Sequence, residues 1–82
     1  MDKRDFAYAL KQSRNILMLS QKEIALQLQI PVPTYRQYEQ ASHLPYPKTM
    51  KKITLFLESR GIDTSTIKEV YTSLKSGAAE KD

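Results

Sequence analysis

The chain contains no cysteine, so neither a disulfide nor a thiolate metal site can staple it. At 82 residues it buries only about two-thirds of its unfolded surface, and one compact core is the limit. Stability must come from packing, with dimerisation as the remaining aid. No apolar run approaches the roughly 20 residues that span a bilayer. The opening stretch MDKRDFAYAL is charged and lacks the apolar centre of a signal peptide, so a cytoplasmic location is expected. One histidine, no glycine-rich phosphate loop and no paired acids at catalytic spacing leave nothing to build an active site from. No enzymatic activity, cofactor or metal is expected. There are only two glycines, Gly61 and Gly77, and both read as helix ends.

Charge is present but uneven. Residues 1–52 hold nine Lys and Arg against four Asp and Glu, whereas residues 53–82 hold four against five. A basic N-terminal part suits a phosphate-binding surface, although such an excess also occurs in proteins that bind nothing anionic.

Hydrophobic periodicity predicts five helices and no strands. Phe6, Leu10, Ser13 and Leu17 share one face of a helix running from about Lys3 to Met18, with Arg14 close to that stripe. Ser20-Gln21-Lys22-Glu23 fits a capping box that opens a second helix, Gln21 to Leu28, with Ile24, Ala25 and Leu28 inward. Gln29 and Ile30 form a turn, and Pro31-Val32-Pro33 starts a third helix that continues to about Gln40. A residue before proline avoids the α region, which favours Pro33 over Val32 as its first residue. Tyr35 and Tyr38 point inward. A fourth helix runs from Pro47 to Arg60, ends at Gly61, and turns Met50, Ile53 and Leu57 to the core. Asp63 or Thr64 caps the fifth, whose stripe is Ile67, Val70, Tyr71 and Leu74. Residues 1–76 form one domain and 77–82 a flexible tail.

Ser20 to Glu39 thus reads as two short helices joined by a tight turn, an arrangement that puts a helix into a DNA groove. With Ser20-Gln21, Ala25, Ile30, Thr34, Tyr38-Glu39, Pro45 and Arg14 at these spacings, the segment Leu10 to Leu57 resembles the phage repressor and Cro type of helix-turn-helix domain, the xenobiotic-response-element-like family. The resemblance implies an all-α, compact five-helix domain of the lambda-repressor kind, with the helix-turn-helix at helices 2 and 3. It also implies a buried ion pair between Arg14 and Glu39; the bland reading is two unrelated surface charges. The family favours glycine where this chain has Met18, Gln29 and Ala41. A left-handed Gln29 would cost about 1 kcal/mol.

On that resemblance, helix 3 enters the major groove and Val32, Pro33, Arg36 and Gln37 stand at base edges. Gln pairs with adenine and Arg with guanine, whereas Val32 and Pro33 make apolar contacts only. Gln21 and Lys22, at a helix N-terminus, suit a phosphate. Thr34, Gln40, Ser42, His43 and Lys48 are further phosphate candidates. Outside that context Arg36 and Gln37 read as solvated surface, and His43 as a loop residue. Helix 5 supplies Ile67, Val70, Tyr71 and Leu74 either to a homodimer interface or to the core, with equal support for each.

The leading expectation is a sequence-specific regulator of bacterial or phage origin, a repressor that binds a palindromic site in double-stranded DNA as a dimer. The competing one is a protein-interaction module, an antagonist or antitoxin-like partner on the same scaffold.

Overall fold

The computed structural model describes residues 2–80, with side chains for residues 2–76. Its elements follow in the order α1 (Lys3–Ile16), α2 (Gln21–Leu28), α3 (Val32–Glu39), α4 (Pro47–Ser59) and α5 (Ser65–Glu80). There is no strand among the described residues. The expected tail, 77–82, falls outside the residues whose side chains are described, while the backbone of α5 is helical through Glu80. None of the described helices is long and apolar enough to cross a membrane.

Side chains that satisfy free backbone donors set the starts of α1, α2 and α5, whereas α3 and α4 open with proline in the first turn and no side-chain cap. Asp2 accepts the Arg4 amide at 2.8 Å while its own amide donates to Asp5 at 2.7 Å. Ser20 and Glu23 form the expected capping box, at 3.0 and 2.8 Å. The Asp63 carboxylate accepts from the Ser65 amide at 2.9 Å, and the Thr64 carbonyl accepts the Lys68 amide at 2.9 Å. Asp63 and Thr64 therefore share the start of α5.

Two boundaries differ from the sequence reading. α1 stops at Ile16 and not at Met18, because Met18 takes φ +58°. Its amide donates to Asn15 at 2.9 Å, a tighter turn than the helix makes. α3 begins at Val32, with Pro31 extended before it, and not at Pro33. Pro33 then occupies the second helical position, where its missing N–H would have had no helical acceptor, so the preference of a pre-proline residue is overridden. The Tyr35 amide closes that first turn on the Pro31 carbonyl at 3.0 Å.

Among the described residues, Met18, Gln29 and Ala41 are the non-glycine residues with positive φ, at 58°, 59° and 63°. These are the positions at which the resemblance expects glycine.

The core is built from Phe6 and Leu10 of α1, Ile24, Ala25 and Leu28 of α2, the two tyrosines of α3, and Met50, Ile53 and Leu57 of α4. α1 packs on α3 and α5, and α2 packs on α3 and α4. Ile67 and Val70 of α5 are buried in this same core, 2% and 5% exposed. In this fold they lie in the core, one of the two readings left open for them. Tyr71 and Leu74 are half-buried against it. The Tyr71 ring lies 5.9 Å from Phe6, and its hydroxyl donates to the Pro45 carbonyl at 2.8 Å. Only an outer edge of these two residues faces solvent.

Candidate nucleic-acid interface

The α2–turn–α3 unit is fastened to α1 by one carboxylate. Arg14 reaches Glu39 with two nitrogens, Nε to Oε2 at 2.6 Å and Nη2 to Oε1 at 3.0 Å, and its Nη1 donates to the Leu19 carbonyl at 2.7 Å. The two side chains are 11% and 3% exposed. The pair expected from the resemblance is present, and it is buried. Tyr35, one helical turn before Glu39, also donates to Oε2, and Gln21 donates to Oε1 at 3.0 Å. Four donors fill the acceptor capacity of an ionised carboxylate.

Burial alone would raise the Glu39 carboxyl. The bonds from Arg14, Tyr35 and Gln21, with the charge of Arg14, outweigh it and hold the group below its ordinary range. Burial, reinforced by the bond to Glu39, pushes the Tyr35 hydroxyl far upward, so it stays a donor. The bond to Glu39 likewise raises Arg14. This cluster holds the start of α2 and the end of α3 at a fixed mutual angle.

The exposed side of α3 carries Pro33, Arg36 and Gln37. Val32 is half-buried and packs against the core, so only part of it faces outward. Arg36 Nε donates to the side-chain oxygen Oε1 of Gln21 at 3.2 Å, which joins a residue expected on a base to one expected on phosphate. Thr34, Gln37 and His43 come together with Lys3, Leu44, Tyr46, Lys75 and Tyr38 around a concavity of about 500 Å³. Lys22, Gln40, Ser42 and Lys48 are exposed. The Gln37 carbonyl accepts the amides of Ser42 and His43 at 3.0 and 3.4 Å, which folds the loop after α3 back against the helix.

Lys3, Leu44, Tyr46 and Lys75 at this concavity escaped the sequence reading. Lys3 and Lys75 lie at opposite ends of the chain and converge only because α1 packs on α5. Tyr46, 78% exposed, precedes α4 and could have been flagged as an aromatic in a polar loop. Among the described residues, no three His, Asp or Glu side chains stand close enough to hold a metal ion.

The helix-turn-helix family model matches residues 10–67, which is more than half of the chain and spans every residue of the Arg14–Glu39 cluster. The chain belongs to the Cro/C1-type, xenobiotic-response-element-like helix-turn-helix family. No curated protein and no solved structure matches it. The family is one of DNA-binding regulators. At the three turns where the resemblance expects glycine, this Cro/C1-type domain has Met18, Gln29 and Ala41, and each adopts the left-handed backbone.

Proposed function

We propose that residues 1–76 bind double-stranded DNA sequence-specifically, with α3 in the major groove and Arg36 and Gln37 as the principal base readers. The observation that carries this reading is the placement of Arg36 and Gln37 on the exposed face of α3. The Arg14–Glu39 cluster beneath that face holds it rigid. Pro33 and the outward part of Val32 add apolar contact to a thymine methyl. Lys22, at the start of α2, offers charge beside unpaired helix N–H groups. Thr34, Gln40, Ser42, His43 and Lys48 extend the phosphate track, and Lys3, Tyr46 and Lys75 prolong it past the concavity. Such contacts fix register without carrying sequence information.

One helix-turn-helix reads a few base pairs, so the domain acts as a homodimer on an inverted repeat with half-sites about 34 Å apart. The outer edges of Tyr71 and Leu74 are what α5 has left to offer this dimer. Occupancy of such a site over a promoter makes the protein a repressor, in the cytoplasm of a bacterium or of a phage's host.

Selection of duplexes from a random pool, followed by anisotropy titration of the winner at two salt concentrations, tests this. Enrichment of an inverted repeat bound far more tightly than random DNA is the expected result. Weak, unselective binding that disappears with salt would reduce the interaction to counterion release and reject the reading. The second reading, a protein-interaction module, is favoured by Tyr8 and Ile16 of α1. They are 67% and 68% exposed and line a concavity with Ile62, Asp63 and Thr66 at the link between α4 and α5.

A further inference from the structure

We infer that Gln21 is a positioning residue for base recognition: its amide anchors Arg36 by Nε and leaves the two terminal nitrogens of Arg36 free to read a guanine. The inference rests on the DNA-binding reading above and deepens it.

The amide of Gln21 lies between two groups of opposite character. On one side is the Glu39 carboxylate, which can only accept hydrogen bonds; on the other is the Arg36 guanidinium, which can only donate them. The nitrogen of Gln21 donates to Glu39 Oε1 at 3.0 Å, and its oxygen accepts from Arg36 Nε at 3.2 Å. Rotating the amide by half a turn would set oxygen against carboxylate and N–H against guanidinium. Its orientation is therefore determined by its neighbours.

Glu39 is itself immobile. Its side chain is 3% exposed and gripped by Arg14 through two bonds, and Arg14 is in turn fixed to the Leu19 carbonyl. A continuous path of hydrogen bonds thus runs from the buried ion pair through Gln21 to an exposed side chain on α3. Arg36 is the last link. Its Nε is engaged, and the Nη1 and Nη2 fork is the part that matches guanine O6 and N7. A long side chain free in solvent loses most of its rotamer freedom when it binds, and prior anchoring removes part of that loss. The second N–H of Gln21 has no role in this relay, so a phosphate contact from it is compatible with the inference but is not what the inference asserts.

The test is a set of anisotropy titrations against the selected duplex and its single-base variants. The proteins are the wild type, Arg36→Ala, Gln21→Ala, the double variant, and Gln21→Leu, which keeps an apolar stem and removes the amide. Each is first checked by thermal melting, so that only folded variants are compared. Arg36→Ala is expected to lose roughly tenfold discrimination at one base pair per half-site. Gln21→Ala and Gln21→Leu are expected to lose a severalfold share of the discrimination at that same base pair and none elsewhere. The double variant should discriminate no worse than Arg36→Ala alone.

Equal weakening on every duplex by the Gln21 variants, with the salt slope reduced by about one, would make Gln21 a phosphate contact and overturn the inference. A selective wild type whose preferences survive Arg36→Ala would overturn it too. Absence of selectivity in the wild type itself would mark the failure of the DNA-binding reading, and the inference would fall with it.

Discussion

Arg14 and Glu39 stand 25 residues apart in the chain and 2.6 Å apart in the fold. Between them they bind α1, the start of α2 and the end of α3 into one unit. Because both are buried, neither can be removed without stranding the other. Glu39→Ala leaves the Arg14 charge without its counter-ion and takes the acceptor from Tyr35 and Gln21. The expected cost is about 3–5 kcal/mol. For a domain of this size that is a large share of total stability, roughly 0.05–0.15 kcal/mol per residue. Urea unfolding followed by circular dichroism should show Glu39→Ala largely unfolded in buffer. A midpoint near that of the wild type would refute the assignment.

The same carboxylate makes the fold acid-sensitive. Its value in the folded protein is lowered from the ordinary 4.5, so its contribution is complete above that pH and is lost as pH falls through the lowered folded value. Asp2, Glu58 and Asp63 are lowered as well, but all three are exposed and screened. The wild-type urea midpoint should be flat from neutral pH down to about 5 and fall below that. The gap between wild type and Glu39→Gln should narrow over the same acid range. A gap that stays constant with pH would show that Glu39 does not titrate with unfolding.

Met18, Gln29 and Ala41 hold a left-handed backbone that glycine adopts without strain. Met18 is 89% exposed, so its side chain contributes little packing to set against the strain. Met18→Gly is expected to stabilise the domain by about 0.5–1 kcal/mol after the entropy cost of glycine in the unfolded chain. That corresponds to a rise in Tm of about 2–8 °C by calorimetry. A fall would mean that the exposed thioether packs more than its accessibility suggests.

Ile67 distinguishes a core α5 from an interfacial one. Buried to 2%, it should cost about 2–5 kcal/mol on change to Ala, with the same loss at every protein concentration. A loss that shrinks as the protein is concentrated would return Ile67 to a dimer interface.

Among the phosphate candidates, Lys22→Ala and Lys48→Ala should weaken all duplexes alike and lower the salt slope by about one each, without altering base preference. Gln37→Ala should instead relax preference at one base pair. A Lys48→Ala protein with altered base preference would require a different docking of α3.

Much of this was legible in the chain because local chemistry wrote it there. The Ser20–Glu23 box is a four-residue pattern with one geometric solution. The left-handed turns at Met18, Gln29 and Ala41 were readable only through the resemblance, which expects glycine there. The Arg14–Glu39 pair was readable only through resemblance, since nothing local couples residues on different helices. The start of α3 was misjudged because the aversion of a pre-proline residue for helix competes with the free amides of a first turn, and here the latter won. The Gln21–Arg36 bond and the convergence of Lys3 with Lys75 depend on how helices cross, which periodicity does not encode.

The hydroxyl of Tyr71 on the Pro45 carbonyl ties α5 to the chain just ahead of α4, on the side where α3 ends. A dimer made through the outer edge of α5 would therefore have no slack between its contact and its reading head. The protomer would serve as its own ruler. Inserting one base pair at the centre of the operator would shift the second half-site by about 3.4 Å and rotate it around the duplex. The two heads would then no longer fit together, and the second would have to let go.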